Sequence, residues 1–499
     1  MPRKIKFRKE IFLCLSSAIL LILSFPAFNI EFLAWVGFVP LFFALQGKSQ
    51  RKAFLLSYLA GIIFWFGIIY WLIHVTFAGL IVLVLYLAVY FGVFGLLVSA
   101  ISHKPLAISQ LIIPSAWVLL EHLRSHLFTG FPWALLAYSQ YLNLPIIQIA
   151  DITGAWGVSF LVMMVNVAVY SLLANRCSLP VAIKKYLAVW LSIIFAIAYG
   201  YYRLNLTPDI YNLSPIKISL IQGNIPQDLK WNVRARDSIL GKYFALTKQA
   251  AVKDNPDLII WPEASLPAVL EEEPVFFEQI KNFVQEIKTP LLFGAVTFKE
   301  DQYYNSALLL SSEAKLLNQY DKLHLVPFGE YIPLRKVFRF LETVVPIGDL
   351  VSGREHMVFR HNATTSSVLI CFEDIFPELA PRFMKKGAQF LINITNDAWF
   401  GRTSAPYQHF QASVFRAVEN RVYVVRSANT GVSGFIAPTG KIIALVKDAS
   451  GREIFISGYK TEKISIPKGS LTFYTRYADI FIVFCLLLVL YGIIVKFKK

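Results

Sequence analysis

Cys371, Glu373 and Asp374 close the stretch Ser366-Ser367-Val368-Leu369-Ile370-Cys371-Phe372-Glu373-Asp374, in which a thiol ends an apolar run and two carboxylates follow it. Two other short motifs carry ionisable groups in a similar setting: Trp261-Pro262-Glu263, and Asp321-Lys322-Leu323-His324-Leu325-Val326-Pro327-Phe328-Gly329-Glu330. A free thiol, with a pKa of about 8.5, is only a few per cent thiolate at neutral pH, so a nucleophilic cysteine needs a nearby base. An acyl-transfer intermediate also needs a cation or N–H donors for its oxyanion. Glu263, Lys322 and Cys371 supply that set. The competing reading is packing, because free cysteines are among the most buried residue types.

These residues need elements to hold them. Small and β-branched residues ending in Cys371, then Pro377 and a helical pattern over Glu378 to Lys386, describe a strand, a tight turn and a helix. A cysteine on such a turn lies near a helix N-terminus, where backbone N–H groups favour its thiolate. The surrounding sequence alternates in the same way. Strands are expected at 216–222, 258–261, 291–296, 306–310, 367–371, 390–395 and 422–427, and helices at 237–252, 274–287, 378–386 and 406–421. Strand and helix in turn, with reactive groups at strand ends, predict a layered α/β domain large enough for one well-filled core.

Composition places that domain beside a membrane. The 499 residues are 56% hydrophobic and 16% charged, values that describe a polytopic membrane protein better than a soluble one. Apolar runs near the ~20 residues needed to cross a bilayer fall at 11–28, 32–45, 53–75, 78–101, 106–120, 158–174, 186–202 and 480–495, which predicts about eight transmembrane helices. With the N-terminus inside, the cytoplasmic segments hold most of the flanking basic residues, including Arg3, Lys4, Lys48, Arg51, Lys104, Arg176, Lys184 and Lys499. The opposite loops hold chiefly Arg124 and Arg203, as the positive-inside rule requires. The net charge of +16 is thus topological; no zinc-finger or RNA-binding signature accompanies it, so nucleic acid is not an expected partner. The expected domains are a membrane domain over 1–203 with seven helices, an extracytoplasmic domain over 204–478, and a last helix with a basic cytoplasmic tail over 479–499. The first apolar run has a basic start but no convincing cleavage site, and reads as a retained helix. Of four cysteines, Cys14 and Cys485 fall in spans and Cys177 in a cytoplasmic loop, which leaves Cys371 as an unpaired exported thiol.

His122 and His126 have the i, i+4 spacing of helical metal ligands, but without a His-Glu-x-x-His pattern they read, with Glu121 and Arg124, as interfacial or internally paired. Trp133, Tyr138 and Tyr141 read as an interfacial aromatic belt. The apolar and basic stretch 328–341 reads equally as a lid in the lipid interface or as a core-covering helix. Asn396 and Asp397 read as turn-shaping residues. Ser433 lacks the glycine pattern of a nucleophile elbow, and no metal or nucleotide motif appears, so no cofactor is expected.

The order Glu263, Lys322, Cys371 resembles the nitrilase superfamily, and the similarity extends to its membrane-bound branch, the apolipoprotein N-acyltransferase family. The motifs that carry it are Gln222-Gly223-Asn224-Ile225-Pro226-Gln227 with Trp231, Trp261-Pro262-Glu263, the block from Lys322 to Pro333, Cys371-Phe372-Glu373, and Asn393-Ile394-Thr395-Asn396-Asp397-Ala398-Trp399-Phe400-Gly401. The resemblance implies a polytopic α-helical membrane domain plus a nitrilase-like αββα sandwich. It implies a ping-pong acyl transfer in the bacterial inner membrane, with the catalytic domain on the periplasmic side. The cysteine at 371 takes the sn-1 acyl chain of a phospholipid, typically phosphatidylethanolamine. It passes the chain to the α-amine of a diacylglyceryl-cysteine at an apolipoprotein N-terminus. By the same analogy Glu263 is the general base, Lys322 stabilises the oxyanion, Glu330 and Glu373 orient groups around them, and Trp231 lies near the lipid entry. The expected oligomeric state is a monomer. The family commonly has tyrosine where this chain has Phe372. One neutral hydrogen bond is worth about 1 kcal/mol, so the difference tunes the rate and leaves the assignment standing. The alternatives are a membrane-tethered nitrilase-type amidase or thioester hydrolase, and a transporter with an exported ligand-binding domain.

Overall fold

A computed structural model describes residues 3–101, 106–175, 185–205, 215–331, 349–361, 364–466 and 470–497. The chain divides into two compact units, one formed by Met1–Asn205 with Tyr477–Lys499 and the other by Leu206–Arg476.

The first unit is helical. Among the described residues four helices are long and apolar enough to cross a bilayer: Gln50–His74, Phe77–Ile101, Ala155–Asn175 and Leu187–Asn205. Arg3–Leu23 and Leu106–His126 are further helices of 21 residues each, and Ile480–Phe497 has 18. The run expected to span at 32–45 is broken into a 3-10 turn, Glu31–Trp35, and a seven-residue helix, Val39–Leu45. Gly37 and Pro40 interrupt the pattern there, and Asn166 meets the polar groups that the break releases. Its side chain accepts from the Phe38 amide at 2.8 Å and donates to the Ala34 carbonyl at 2.8 Å, as non-helical backbone in an apolar setting demands. Trp133, Tyr138 and Tyr141 do not form the expected aromatic belt. They are buried, because the segment after Phe131 folds back onto Arg124, which donates to the carbonyls of Phe131 and Trp133, while Glu121 accepts from the Leu136 amide.

The second unit is built on two six-stranded sheets. The first has the order β12-β1-β2-β3-β4-β5 and the second β11-β10-β9-β8-β7-β6. The strands are β1 Ile216–Gln222, β2 Leu258–Ile260, β3 Leu291–Lys299, β4 Gln302–Leu310, β5 Leu316–Asp321, β6 Phe359–His361, β7 Thr364–Ile370, β8 Phe390–Thr395, β9 Val424–Ala428, β10 Gly434–Ile436, β11 Ile442–Leu445 and β12 Gly458–Ile464. Inside each sheet the central strands pair in parallel, β1 with β2 with β3 and β7 with β8 with β9. These strands are covered on both faces, which is why they read as unbroken apolar runs. The sheets meet face to face: Ser427 on β9 donates to the Ile221 and Ile260 carbonyls of the first sheet at 3.1 and 3.3 Å.

Helices cover the outer faces. Pro274–Ile287 starts on proline and repeats apolar residues at Phe276, Phe277, Ile280, Phe283, Val284 and Ile287, one stripe of a 3.6-residue period. That stripe joins Ile239, Leu240 and Tyr243 of helix Arg236–Asp254 in one core with Trp261, Leu291 and Phe293 of the first sheet. Helix Ala405–Asn420 packs on β9 and β10 of the second sheet. The order of layers is therefore helix, sheet, sheet, helix.

Candidate active site

Three strand ends of the sandwich bring the sequence motifs together. Glu263 follows β2, Lys322 follows β5 and Cys371 follows β7, at the carboxyl ends of strands, where α/β sheets place their sites.

Cys371 opens a 3-10 turn, Cys371–Ile375, with a backbone φ of +54°. That region is unfavourable for a residue with a Cβ and is retained when the surroundings enforce it. Here Asn393 Nδ2 donates to the Cys371 carbonyl at 3.2 Å and Thr395 Oγ1 donates to the sulfur at 3.2 Å. Burial pushes the thiol well above its usual pKa, the Glu263 carboxylate pushes it further, and Lys322 works in the opposite direction. The turn therefore does not present the ready thiolate expected from a helix N-terminus. Five residues of 3-10 helix offer little dipole, and desolvation outweighs it. Cys371 rests as a thiol and needs its base.

Glu263 is held by neighbours on the first sheet. Asn305 Nδ2 on β4 donates to Glu263 Oε1 and to Glu330 Oε1, each at 2.8 Å, and so bridges the two acids. The loop after Glu263 lies flat on β3, where a Cβ at Gly294 would sit 2.5 Å from the Ala264 nitrogen and 2.7 Å from the Glu263 Cα. Only glycine leaves that approach open.

Lys322 Nζ is fully buried, 2.9 Å from Glu330 and 3.7 Å from Glu263 Oε1. Burial acts against its charge, but Glu330, Glu263 and the nearby thiol outweigh that cost and raise its pKa. It is a permanent cation beside the sulfur.

Glu373 has a different task. It accepts from the amides of Ile370, Leu323 and His324 at 2.7, 2.7 and 3.1 Å and from Tyr320 Oη at 2.9 Å. These bonds clamp the lysine loop to the cysteine turn, although burial raises its pKa to about 7. Phe372 packs edge-on against Phe376 with ring centroids 5.4 Å apart. Trp231 is partly exposed, and among the described residues its side chain makes no hydrogen bond or ring contact. From residue 332 onward the lid-like stretch lies outside the described residues.

Several residues here escape a reading of motifs. Lys230, beside Trp231, is buried, with Nζ donating to the Glu263 carbonyl at 2.9 Å; burial lowers its pKa to about 8, against the pull of Glu263 and Cys371. Beneath the cysteine turn lies a sealed charged cluster. His409 sits 2.9 Å from both Asp374 Oδ1 and Asp397 Oδ1, and Arg426 lies 2.8 Å from Asp374 and 3.3 Å from Asp397. His409 Nε2 also reaches the Cys371 carbonyl at 3.2 Å. Asp397 is thus part of a buried ionic network and more than a turn residue. Burial and Arg426 oppose the charge on His409, yet the two aspartates raise its pKa to about 9. The basic Arg426 inside the apolar strand Val424–Ala428 is the sequence feature that could have pointed to this cluster.

Comparison with known proteins bears on both units. Residues 17–168 match the apolipoprotein N-acyltransferase N-terminal domain, and residues 217–460 match the carbon-nitrogen hydrolase family. The apolipoprotein N-acyltransferase of Geobacter metallireducens is 40% identical over 95% of this chain and 92% of its own length. That of Methylococcus capsulatus is 32% identical over 88% of each chain, and that of Pasteurella multocida 30% identical over 93% of this chain and 92% of its own.

Proposed function

The chain belongs to the apolipoprotein N-acyltransferase family, and from that premise we propose that it moves an acyl chain from a phospholipid to the α-amine of the diacylglyceryl-cysteine of apolipoproteins through a thioester on Cys371. The observation that carries the reading is a half-buried thiol acted on by the Glu263 carboxylate, with Asp397 behind it, and by the permanent cation Lys322.

The steps follow from those charges. The Glu263 carboxylate takes the thiol proton as the sulfur attacks the sn-1 ester carbonyl, so the raised thiol pKa is overcome only when substrate is present. Lys322 Nζ and the amide of residue 372 stabilise the oxyanion. Collapse expels the lysophospholipid alkoxide, which takes the proton back from Glu263. The lipoprotein amine then attacks the thioester and Glu263 takes one of its protons; the C–S bond breaks to leave the new amide, and Glu263 returns that proton to the departing Cys371 sulfur, regenerating thiol and carboxylate. Glu330 and Asn305 fix Glu263 and Lys322, Glu373 positions the lysine loop, Phe372 lines the turn, and Trp231 stands at the lipid entry.

About eight spans, seven within 1–203 and one within 479–499, would carry the catalytic domain 204–478 on the periplasmic face of the inner membrane. There both substrates are held in the bilayer. Phosphatidylethanolamine is the expected donor and a monomer the working unit.

The test is to incubate the purified protein with phospholipid alone and measure the mass of the Cys371 peptide. An acyl adduct is expected, absent in Cys371→Ala, and a labelled chain added with lipopeptide should end on the peptide amine. Label recovered only as free fatty acid would make the protein a hydrolase, and full activity in Cys371→Ala would remove the thioester.

A further inference from the structure

The turn of helix at the end of Leu106–His126 carries His122 and His126, and the described residues bring a third donor to them from far along the chain. Asp479, one residue before helix Ile480–Phe497, offers a carboxylate oxygen such that the three ligand atoms lie within 4.8 Å of one another. Spacing alone could not show this, because the partner is more than three hundred and fifty residues away, a separation on the order of the whole chain.

We propose that His122, His126 and Asp479 form a binding site for a divalent transition metal of the zinc class. Two imidazoles and one carboxylate make a donor set of borderline hardness, suited to Zn²⁺ or Co²⁺, with further positions left to water or a lipid oxygen. The outer contacts are of the kind that orient metal ligands. His126 Nδ1 lies 2.8 Å from the His122 carbonyl, a bond that fixes the tautomer with its lone pair on Nε2. Trp156 Nε1 donates to Asp479 Oδ1 at 3.0 Å and holds the carboxylate without neutralising it. The two imidazole rings are 4.2 Å apart between centroids, and His122 keeps a buried Nδ1 with no hydrogen-bond partner. His126 is exposed and the other two are partly so, which leaves a path for an ion from solvent. A bound metal would fasten the start of the last helix to the end of Leu106–His126, two helices that already pack together.

The experiment uses the untagged full-length chain in detergent, stripped with chelator and dialysed against ZnCl₂, with bound metal counted by mass spectrometry. One zinc per chain at micromolar or tighter affinity is expected, together with a zinc-dependent rise in unfolding temperature. His126→Ala and Asp479→Asn should each weaken binding at least about tenfold, and abolish the thermal shift while unfolding at the wild-type temperature in chelator; His74→Ala should change neither. Wild-type protein that binds no zinc, or variants that bind it as the wild type does, would overturn the proposal.

Discussion

The charges around Cys371 make opposite demands on the thiol, and they can be separated. Glu263 raises its pKa and Lys322 lowers it. Glu263→Gln should therefore move the midpoint of pH-dependent Cys371 alkylation downward while slowing acyl transfer by about 10²- to 10⁴-fold, the usual loss of a general base. Lys322→Met should move the same midpoint upward and slow transfer by about 10²- to 10³-fold. A variant that merely unfolds the site would expose the thiol and bring both midpoints toward the ordinary cysteine value. If Glu263→Gln left the midpoint in place, Glu263 would not be the charge that faces the sulfur. Reading residue types located these three groups, since a thiol, an acid and a lysine at apolar strand ends are rare enough to notice. It did not locate Asn305, Thr395 or Lys230, because an amide, a hydroxyl or an ordinary lysine carries no signal until its partner is known.

At the scale of elements, all interior strands but one are legible in the sequence and the edges are not. β1 and β8 fall at the expected limits and β2, β3, β4, β7 and β9 near them, whereas no expected strand corresponds to β5, β6, β10, β11 or β12. All of the missed strands except β10 are sheet edges. β12 reads Gly-Tyr-Lys-Thr-Glu-Lys-Ile, a charged alternation that protects an edge and resembles a loop in sequence. β10, three residues long, is too short to show a period. The close packing of the Glu263 loop on β3 yields a direct check: Gly294→Ala would push a methyl group into that loop, and acyl transfer should fall at least about tenfold, a loss of roughly 1.4 kcal/mol or more, with the fold retained by circular dichroism. The ionic cluster under the cysteine turn gives a second check. His409, raised to about 9 in the fold, titrates near 6.5 when unfolded. Its stabilising contribution is full below the lower value and is lost as pH climbs through the higher one. The unfolding temperature should fall between pH 7 and 9.5 by more in the wild type than in His409→Asn, which starts lower. The difference between the two profiles removes Lys230, whose lowered pKa acts in the other direction above about pH 8. Parallel profiles would mean that His409 is neutral in the fold.

For the whole molecule, the distribution of charge predicts a topology that labelling can test. Basic residues gather at alternate ends of the apolar runs, and because short basic loops stay in the cytoplasm, each run fixes the side of the next. The broken segment 31–45 is the weak link in that count. Its 3-10 turn and short helix together fall below the ~20 residues of a straight span, yet the parity of the chain requires a crossing there if the loop with Lys48, Arg51 and Lys52 is to share a side with the N-terminus. Single cysteines introduced into a chain freed of its own four decide the matter. Ser49→Cys, in that exposed loop, should resist a membrane-impermeant maleimide in intact spheroplasts and react after permeabilisation. Phe28→Cys, in the exposed turn that precedes segment 31–45, should react in both. Equal labelling of the two in intact spheroplasts would mean that segment 31–45 does not cross. With the other runs still crossing, the number of crossings before residue 204 would then be even. The catalytic domain would have to be placed afresh, because Cys371 can meet lipoprotein substrates only on the side where their N-terminal cysteines stand.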